Sequence, residues 1–369
     1  MTVTPILQFG TSRFLQAHAD LFISQAMTEG QDVGPITVVQ SSGDAARAGR
    51  LSGLVGSYPV RIEGMKDGKP LSEKIEVTSI AHTLSTALDW DDVVRVFVHE
   101  AAIVLSNTGD SGYAPQPLDT NKIFDQAMSY PAKLTLLLRA RFEAGGGPIQ
   151  IMPMELIADN GAVLKGRVID LAQGDDAFLR YLDNDVIWVN SLVDRIVSQP
   201  LEPAGAVAEP YALWAIEDQL RLVLPCKHPS VQVVKSLSQI EALKLFVLNL
   251  GHTFLVDHWQ KTNGGPDVLV RQLMEDATAL TALKAVLRDE VRPAFIAAGI
   301  AADFDAYVAI TFDRFANPFL DHRIADISQN HAQKVERRIV AMLGWAVDQG
   351  DSSAKPMLSE IIARNKELT

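Results

Sequence analysis

The chain has 369 residues, of which 47% are hydrophobic and 21% are charged, and this composition excludes a mainly disordered protein. Its formal net charge of −12 disfavours binding to nucleic acid or to a membrane surface. The single cysteine, Cys226, excludes an intramolecular disulfide and fits a cytoplasmic protein, and we expect neither a signal peptide nor a membrane-spanning helix.

Short apolar runs alternate with helical patterns over the first 160 residues, which predicts βαβ units and a mostly parallel sheet. A helix is predicted over Arg13–Met27. Residues 54–80 are predicted to form a hairpin that turns at residues 66–69, and residues 200–210 to form a loop. The predicted strands of the sheet are Pro5–Phe9, Ile36–Gln40, Ala102–Asn107 and Ile149–Glu155.

Long helical patterns replace the strand patterns from Leu237 onward. They cover 237–261, 267–299, 302–316, 321–348 and 354–367. We therefore predict an α/β domain over residues 1–236 and an all-helical domain over residues 237–369.

The first strand ends in a glycine directly before a helix, which is where a dinucleotide-binding fold places the pyrophosphate of its cofactor. The turn reads Gly10-Thr11-Ser12-Arg13-Phe14, so only the first glycine of the G-x-G-x-x-G pattern is present. Arg13 could add a cation to a phosphate site. The alternative is an ordinary strand–helix turn without a ligand.

The second strand ends at Gln40 without the acidic residue that usually binds the adenosine ribose. Asp44 follows slightly late, and Arg47 and Arg50 come after it. This pattern leaves both NAD and NADP open as cofactors.

The segment from Ile240 to Val256 is apolar almost all round, yet it carries Glu241, Lys244, Asn249 and His252. On an α-helix these four side chains fall within one arc of about 140°. Buried polar groups need partners or a ligand. One alternative is a core network that includes a Lys244–Glu241 ion pair. The other is a catalytic lysine in a partly desolvated cleft, where burial lowers its pKa towards neutrality.

Two further polar clusters follow apolar patterns. Asn190 stands at the end of the run 186–189, and the Asp194-Arg195 pair after it is more often structural than catalytic. Arg314 to Pro318 precedes His322-Arg323. This second cluster is either a helix end at Asn-Pro or a cation site for an anionic or hydroxylated substrate.

Eight segments together resemble the mannitol dehydrogenase family of polyol-specific long-chain dehydrogenases. The likeness is strongest to its sugar-acid members, the tagaturonate and fructuronate reductases. The segments are ILQFGTSRFLQAHADLF at 6–22, LSNTGDSGY at 105–113, SYPAKLTLLL at 129–138, PMELIADNG at 153–161, NSLVDRIV at 190–197, WAIED at 214–218, KLFVLNLGH at 244–252 and DRFANPFLDH at 313–322.

The resemblance implies a Rossmann-like domain followed by a helical domain, an NAD or NADP cofactor and a reaction without a metal. It implies that Lys244 is the general acid/base, that Asn190 and Asn249 hold the developing alkoxide, and that His252 contacts substrate hydroxyls. The residues implied for cofactor binding are Gly10, Thr11, Ser12, Arg13, Phe14, Gln40, Ser106, Asn107 and Thr108.

The resemblance leaves the substrate open. A sugar acid needs a cation for its carboxylate, for which Arg314 and Arg323 are candidates, and His322 is also expected to bind substrate. A neutral polyol needs only hydrogen-bonding groups such as Glu217, Asp218 and His252. The WAIED segment is more similar to the mannitol enzymes. We therefore expect a small-molecule dehydrogenase acting as a monomer or homodimer, with a mannitol-type dehydrogenase or a non-catalytic nucleotide-binding relative as alternatives.

Overall fold

The computed structural model describes residues 2–43, 48–172 and 174–367, so Asp44 and Arg47 lie outside the described residues. The chain divides into two compact units. We call residues 1–62 and 73–237 the sheet unit, and residues 63–72 and 238–369 the helical unit.

The strands are numbered in chain order. They are β1 (Ile6–Phe9), β2 (Ile36–Gln40), β3 (Tyr58–Lys66), β4 (Lys69–Val77), β5 (Ile80–Ser85), β6 (Ile103–Ser106), β7 (Ile149–Pro153), β8 (Val186–Trp188), β9 (Ser191–Asp194), β10 (Val197–Pro200), β11 (Ala206–Ala208), β12 (Leu213–Glu217) and β13 (Val231–Val234).

The main sheet of the sheet unit has the strand order β5-β2-β1-β6-β7-β8 within the described residues. Every pair in it is parallel, and β1, β2, β6 and β7 are buried along their whole lengths. Burial on both faces is typical of parallel sheets covered by helices. From β1, the strands that follow in the chain are added on one side as β2 and β5 and on the other side as β6, β7 and β8. Open α/β sheets bind ligands at such a switch point.

Two smaller sheets complete the strands, in the orders β10-β11-β3-β4 and β13-β12-β9. The predicted hairpin is confirmed as β3 and β4, with Asp67 and Gly68 at φ 53° and 72° in the turn. The prediction that residues 200–210 form only a loop is wrong. Ala206–Ala208 within this segment forms β11, which pairs in parallel with β3.

The helices of the sheet unit are Arg13–Gln16, Ala19–Thr28, Ala48–Leu54, Trp90–His99, Tyr130–Glu143, Asn160–Ala172 and Asp176–Asn184. The prediction of a single helix over Arg13–Met27 is therefore wrong, because the helix is interrupted between Gln16 and Ala19. The His18 ring is fully buried, and its Nε2 atom lies 2.9 Å from the carbonyl oxygen of Leu213. Burial lowers the pKa of His18 to about 3, so the ring is neutral.

The helical unit contains α-helices and π-helical segments, in which the turn is wider than in an α-helix. The α-helices are Ser238–Leu243, Leu250–Lys261, Val270–Glu275, Ala277–Ala285, Arg292–Ala297, Ala301–Phe315, Ile324–Ile327, His331–Val335, Ala341–Asp348 and Pro356–Glu367. The π-helical segments are Lys244–Asn249, Val286–Val291 and Glu336–Val340. None of the helices in the described ranges is both long and apolar enough to cross a bilayer.

Candidate active site

A cavity of about 320 Å³ opens at the carboxyl ends of β1, β2 and β6 in the sheet unit. Its walls come from the turn after β1, the loop after β2, the loop after β6 and one helical arginine. The described lining residues are Gly10, Thr11, Ser12, Arg13, Gln40, Ser41, Ser42, Arg50, Asn107 and Thr108. The structure thus brings together seven of the nine residues that the sequence predicted for cofactor binding.

Gly10 determines how close the first turn comes to the loop after β6. Its φ is 128°, a conformation that side chains rarely adopt, and a Cβ atom there would lie 2.7 Å from the carbonyl oxygen of Asn107. A glycine is therefore needed at this position. The two backbones approach without a side chain between them, and this leaves a cradle that fits the pyrophosphate of a dinucleotide.

Ser12 stands where the dinucleotide pattern has its second glycine, and its hydroxyl caps the helix Arg13–Gln16. The Ser12 Oγ atom accepts a hydrogen bond from the N–H of Leu15 at 3.2 Å and donates to Asn107 Oδ1 at 3.3 Å. The Asn107 amide in turn donates to the carbonyl oxygen of Met154 at 2.9 Å. The side chain in this position therefore joins the first turn to the loop after β6.

Arg13 and Phe14 are directed by contacts with other parts of the sheet unit. The Arg13 guanidinium donates to Glu202 at 2.7 Å and to the carbonyl oxygen of Gly205 at 3.1 Å. The Phe14 ring stacks on His18 with 4.8 Å between centroids. Phe14 is not among the described residues that line the cavity. Arg13 lines it, but its charge is already paired with a carboxylate.

The carboxylate of Glu155, which the sequence analysis did not single out, organises the loop after β6. Glu155 is buried, and its Oε1 atom accepts hydrogen bonds from the backbone N–H and the hydroxyl of Thr108. Its Oε2 atom accepts from Ser106 and Tyr113, each at 3.0 Å. Burial and the nearby Glu155 charge raise the pKa of Tyr113, so its hydroxyl stays protonated as a donor. Ser106 is buried and supports the cavity from behind.

Asn190 lies after β8, as the sequence suggested, and both ends of its amide are engaged. Its Oδ1 atom accepts from the N–H of Ala162 at 3.0 Å, and its Nδ2 atom donates to Glu217 Oε2 at 2.8 Å. The neighbouring residue, Asp218, is exposed. The carboxylate of Glu217 therefore holds the amide of Asn190 in a defined orientation.

A second asparagine that the sequence analysis missed, Asn160, fixes the backbone beside Asn190. It is fully buried, and its amide donates to the carbonyl oxygens of Pro153, Glu155 and Ser191. Both Glu155 and Asn160 belong to the segment PMELIADNG. An acid and an amide soon after a buried strand are the only sequence signal for them.

Lys244 begins the π-helical segment Lys244–Asn249 of the helical unit. The even 100° spacing assumed for an α-helix is therefore wrong across these residues, because a π turn contains more residues. Glu241, Lys244, Asn249 and His252 are nevertheless all half-buried, while most of their neighbours are buried. Short π segments are frequent at functional sites.

Arg338 holds the backbone at Asn249. Its guanidinium donates to the carbonyl oxygen of Asn249 and to the hydroxyl of Thr253, both at 3.2 Å. The side-chain amide of Asn249 makes no hydrogen bond to any residue that the structure describes. It is therefore available to a ligand.

His252 lies in a group of aromatic rings and cations within the helical unit. Its ring packs against Phe315 at 4.3 Å and meets the edge of His322 at 5.2 Å between centroids. Burial lowers the pKa of His252 well below its usual value, and the charges of His322, Arg314, Arg338 and Lys334 lower it further. The ring is therefore neutral at physiological pH although part of its surface is accessible.

The two arginines predicted to bind a substrate carboxylate have different environments in the structure. Arg314 is buried at the end of the helix Ala301–Phe315, near His252. Arg323 is exposed, and its guanidinium lies 3.7 Å from the carboxylate of Asp267. Lys334 and Arg338 were not predicted from the sequence, because charges at such helical spacing usually belong to a solvated face.

The described residues contain no group of three or more His, Cys, Asp or Glu side chains placed to hold a metal ion. Cys226 is buried, and burial raises the pKa of its thiol to about 12. Its sulfur is therefore a poor nucleophile at neutral pH.

Comparisons with known proteins match both parts of the chain to one family. Residues 4–225 match the mannitol dehydrogenase Rossmann domain, and residues 236–364 match the mannitol dehydrogenase C-terminal domain. The altronate oxidoreductase of Halalkalibacterium halodurans is 28% identical, over 97% of this chain and 74% of the relative. The altronate oxidoreductase of Bacillus subtilis is 27% identical, over 93% of this chain and 75% of the relative.

Two solved structures share the fold. A substrate-free D-sorbitol dehydrogenase superposes with a TM-score of 0.82 at 20% identity, covering 100% of this chain and 80% of its own. Pseudomonas fluorescens mannitol 2-dehydrogenase, in a complex with NAD and D-mannitol, gives a TM-score of 0.71 at 17% identity, covering 98% and 78%. The predicted resemblance and the Rossmann-plus-helical fold class are confirmed. The chain therefore belongs to the mannitol dehydrogenase family of oxidoreductases.

Proposed function

We propose that this protein is an NAD-dependent dehydrogenase that interconverts a secondary alcohol and a ketone on an acyclic sugar acid. The substrate pair is of the altronate/tagaturonate or mannonate/fructuronate type. The observation that carries this proposal is the group of cations whose charges act on His252 in the helical unit, formed by Arg314, Lys334 and Arg338. Arg314 lies in the last turn of the helix Ala301–Phe315, and Arg338 donates to the backbone carbonyl of Asn249 and to Thr253. A carboxylate is the substrate group that such a cluster suits.

The cavity of the sheet unit fits a dinucleotide cofactor. Gly10 leaves the space that a phosphate group needs, and the first helix presents its N-terminus at the same turn. Bound NAD supplies a hydride acceptor at its nicotinamide ring. Asn107 and Thr108, held by Met154 and Glu155, shape the wall after β6.

Lys244 is proposed as the general acid/base. In alcohol oxidation, its neutral amine accepts the proton of the substrate hydroxyl. In ketone reduction, its ammonium returns that proton to the oxygen. The position of Lys244 at the start of a π segment supports the role, because such short segments are frequent at functional sites.

Two amides are proposed to stabilise the substrate oxygen as negative charge develops on it. The amide of Asn249 is uncommitted among the described residues, and Arg338 fixes the backbone that carries it. Asn190 has two N–H donors, of which one is used on Glu217. Preorganised donors of this kind lower the barrier without moving during the reaction. The neutral ring of His252 is proposed to bind a substrate hydroxyl.

A neutral polyol is the second candidate substrate, and the fold it shares with sorbitol and mannitol dehydrogenases favours it. One carboxylate oxygen of Glu217, Oε2, already accepts a hydrogen bond from Asn190, so Glu217 would bind a polyol hydroxyl through Oε1. We also propose that the protein acts in the cytoplasm, as a monomer or homodimer.

An activity panel tests these proposals. Purified protein is assayed with NADH on tagaturonate and fructuronate, and with NAD on altronate, mannonate, mannitol and sorbitol. We expect kcat/KM for one sugar-acid pair to exceed that for the hexitols at least about a hundredfold. Preference for a hexitol would overturn the sugar-acid proposal. Absence of dinucleotide binding would overturn the proposal that the protein is a dehydrogenase.

A further inference from the structure

The loop after β2 lines the cofactor cavity with polar and cationic groups. Gln40, Ser41 and Ser42 line it from the loop, and Arg50 lines it from the helix Ala48–Leu54. None of the described residues that line the cavity carries a carboxylate. In dinucleotide-binding folds an acid here binds the ribose 2′-hydroxyl of NAD, whereas an arginine accommodates the 2′-phosphate of NADP.

Arg50 is available to bind an anion. Its side chain is half-buried, and the guanidinium makes no ion pair or hydrogen bond with any residue in 2–43, 48–172 or 174–367. A guanidinium has five N–H donors in a planar fork, which match the oxygens of a phosphate group. Ser41 lines the same cavity.

A second cation, Lys133, lies behind the same loop. Its side chain is buried, and its Nζ atom donates to the carbonyl oxygen of Ser41 at 2.8 Å. Burial lowers the pKa of Lys133 to about 8, while the charges of Asp125 and Asp119 raise it. The ammonium form therefore predominates at pH 7.

Gln126 holds the loop at the same point. Its amide donates to the carbonyl oxygen of Ser41 at 2.8 Å, and its Oε1 atom accepts from the hydroxyl of Thr86 at 2.9 Å. The Ser41 carbonyl thus accepts hydrogen bonds from three side chains, since the Thr86 hydroxyl also donates to it at 3.2 Å. This fixes the loop with a buried positive charge directly behind it.

We propose that Arg50, supported by Lys133, forms an anion subsite that admits the 2′-phosphate of NADP in addition to the 2′-hydroxyl of NAD. The inference rests on the proposed function, because it assigns the adenosine ribose to the β2 end of the same cavity. Arg50 binds the phosphate directly. Lys133 acts as a positioning residue through Ser41 and adds to the positive potential.

Calorimetric titration tests the subsite without using turnover. NADH, NADPH, ADP-ribose and 2′-phospho-ADP-ribose are titrated into the wild-type protein, Arg50→Gln, Lys133→Met and the exposed control Arg180→Gln. We expect the wild-type Kd for NADPH to lie within about tenfold of that for NADH. Arg50→Gln should weaken both 2′-phosphorylated ligands by about tenfold or more and the other two by less than about threefold.

Lys133→Met should shift binding in the same direction, and Arg180→Gln should leave all four Kd values unchanged. If Lys133→Met does not fold, the Arg50→Gln result decides alone. The inference is overturned if wild-type protein binds NADPH over about a thousandfold more weakly than NADH, or if Arg50→Gln weakens all four ligands equally. Binding of neither NADH nor NADPH would instead refute the proposed function.

Discussion

The Oε1 atom of Glu155 accepts two hydrogen bonds from Thr108, from its backbone N–H at 2.9 Å and from its hydroxyl at 3.1 Å. Because Thr108 lines the cofactor cavity, a buried carboxylate shapes one wall of that cavity. An amide cannot replace it, since an amide has one acceptor oxygen where the carboxylate has two. Glu155→Gln should therefore weaken NADH binding about tenfold, measured by fluorescence titration. The exposed Glu143→Gln serves as the control, and equal Kd values for both variants would contradict this role.

Loss of the proposed acid/base should affect turnover and not cofactor binding. We expect Lys244→Met to lower kcat by about a thousandfold while the Kd for NADH changes less than about twofold. Steady-state kinetics and titration measure the two quantities. Lys261→Met is the control, because Lys261 is exposed at the end of the following helix. A Lys244→Met variant with wild-type kcat would remove the lysine from the mechanism.

The two arginines suggested for substrate binding should behave differently. Arg314→Met should raise KM for a sugar acid at least about tenfold and leave KM for a hexitol nearly unchanged, because a carboxylate loses a buried cation. Arg323→Met should change neither by more than about twofold, since its ion pair with Asp267 is exposed. Should Arg314→Met fail to fold, Lys334→Met provides the same comparison. Parallel effects on acid and hexitol would show that no carboxylate is bound there.

The turn after β1 should not tolerate a side chain. In Gly10→Ala the added Cβ atom would meet the carbonyl oxygen of Asn107 at 2.7 Å, in a conformation with φ 128°. We expect a loss of about 1–3 kcal/mol in the free energy of unfolding, together with weaker NADH binding. Gly30→Ala is the control that measures backbone strain without a steric clash. Gly30 also has a positive φ, 82°, but no atom lies within 4 Å of its Cβ position. Unchanged NADH binding in Gly10→Ala would contradict the proposed cradle.

Buried Asp20 should make stability depend on pH. Burial raises its pKa from 3.8 to about 7, although hydrogen bonds from Tyr58 and Gln8 oppose the shift. The folded state therefore holds this proton more tightly than the unfolded state does. The stabilisation is complete below pH 3.8 and is lost as pH rises through 7.

Urea unfolding between pH 4.5 and 7.5 measures this effect. In the wild-type protein, ionisation of Asp20 should lower the free energy of unfolding by up to about 1.4 kcal/mol per pH unit. Asp20→Asn should lack this decline. Exposed Asp91→Asn is the control and should retain the wild-type slope. Identical slopes for wild-type protein and Asp20→Asn would show that Asp20 is ionised throughout the folded state.

Local sequence was enough to place four strands of the parallel sheet, but it did not identify β5 or β8 as strands. The predicted strand Ile36–Gln40 has the observed bounds, and Gly10 identified the first turn. The helices were less predictable. The helix is interrupted at His18, whose ring contacts the carbonyl oxygen of Leu213, 195 residues further along the chain. The π segment at Lys244 likewise arises within a helix whose residues alone favour regular α geometry.

The α/β class, the family and the residues expected to bind cofactor and substrate were deduced from the amino-acid sequence, because strand and helix patterns are local and the motifs occur in order. The folded structure was needed to show which polar groups already have hydrogen-bond or ion-pair partners. It showed that Arg13 is paired with Glu202, that Glu217 holds Asn190, and that Glu155 supports Thr108. These partners are separated by between 27 and 189 residues, so no local pattern relates them.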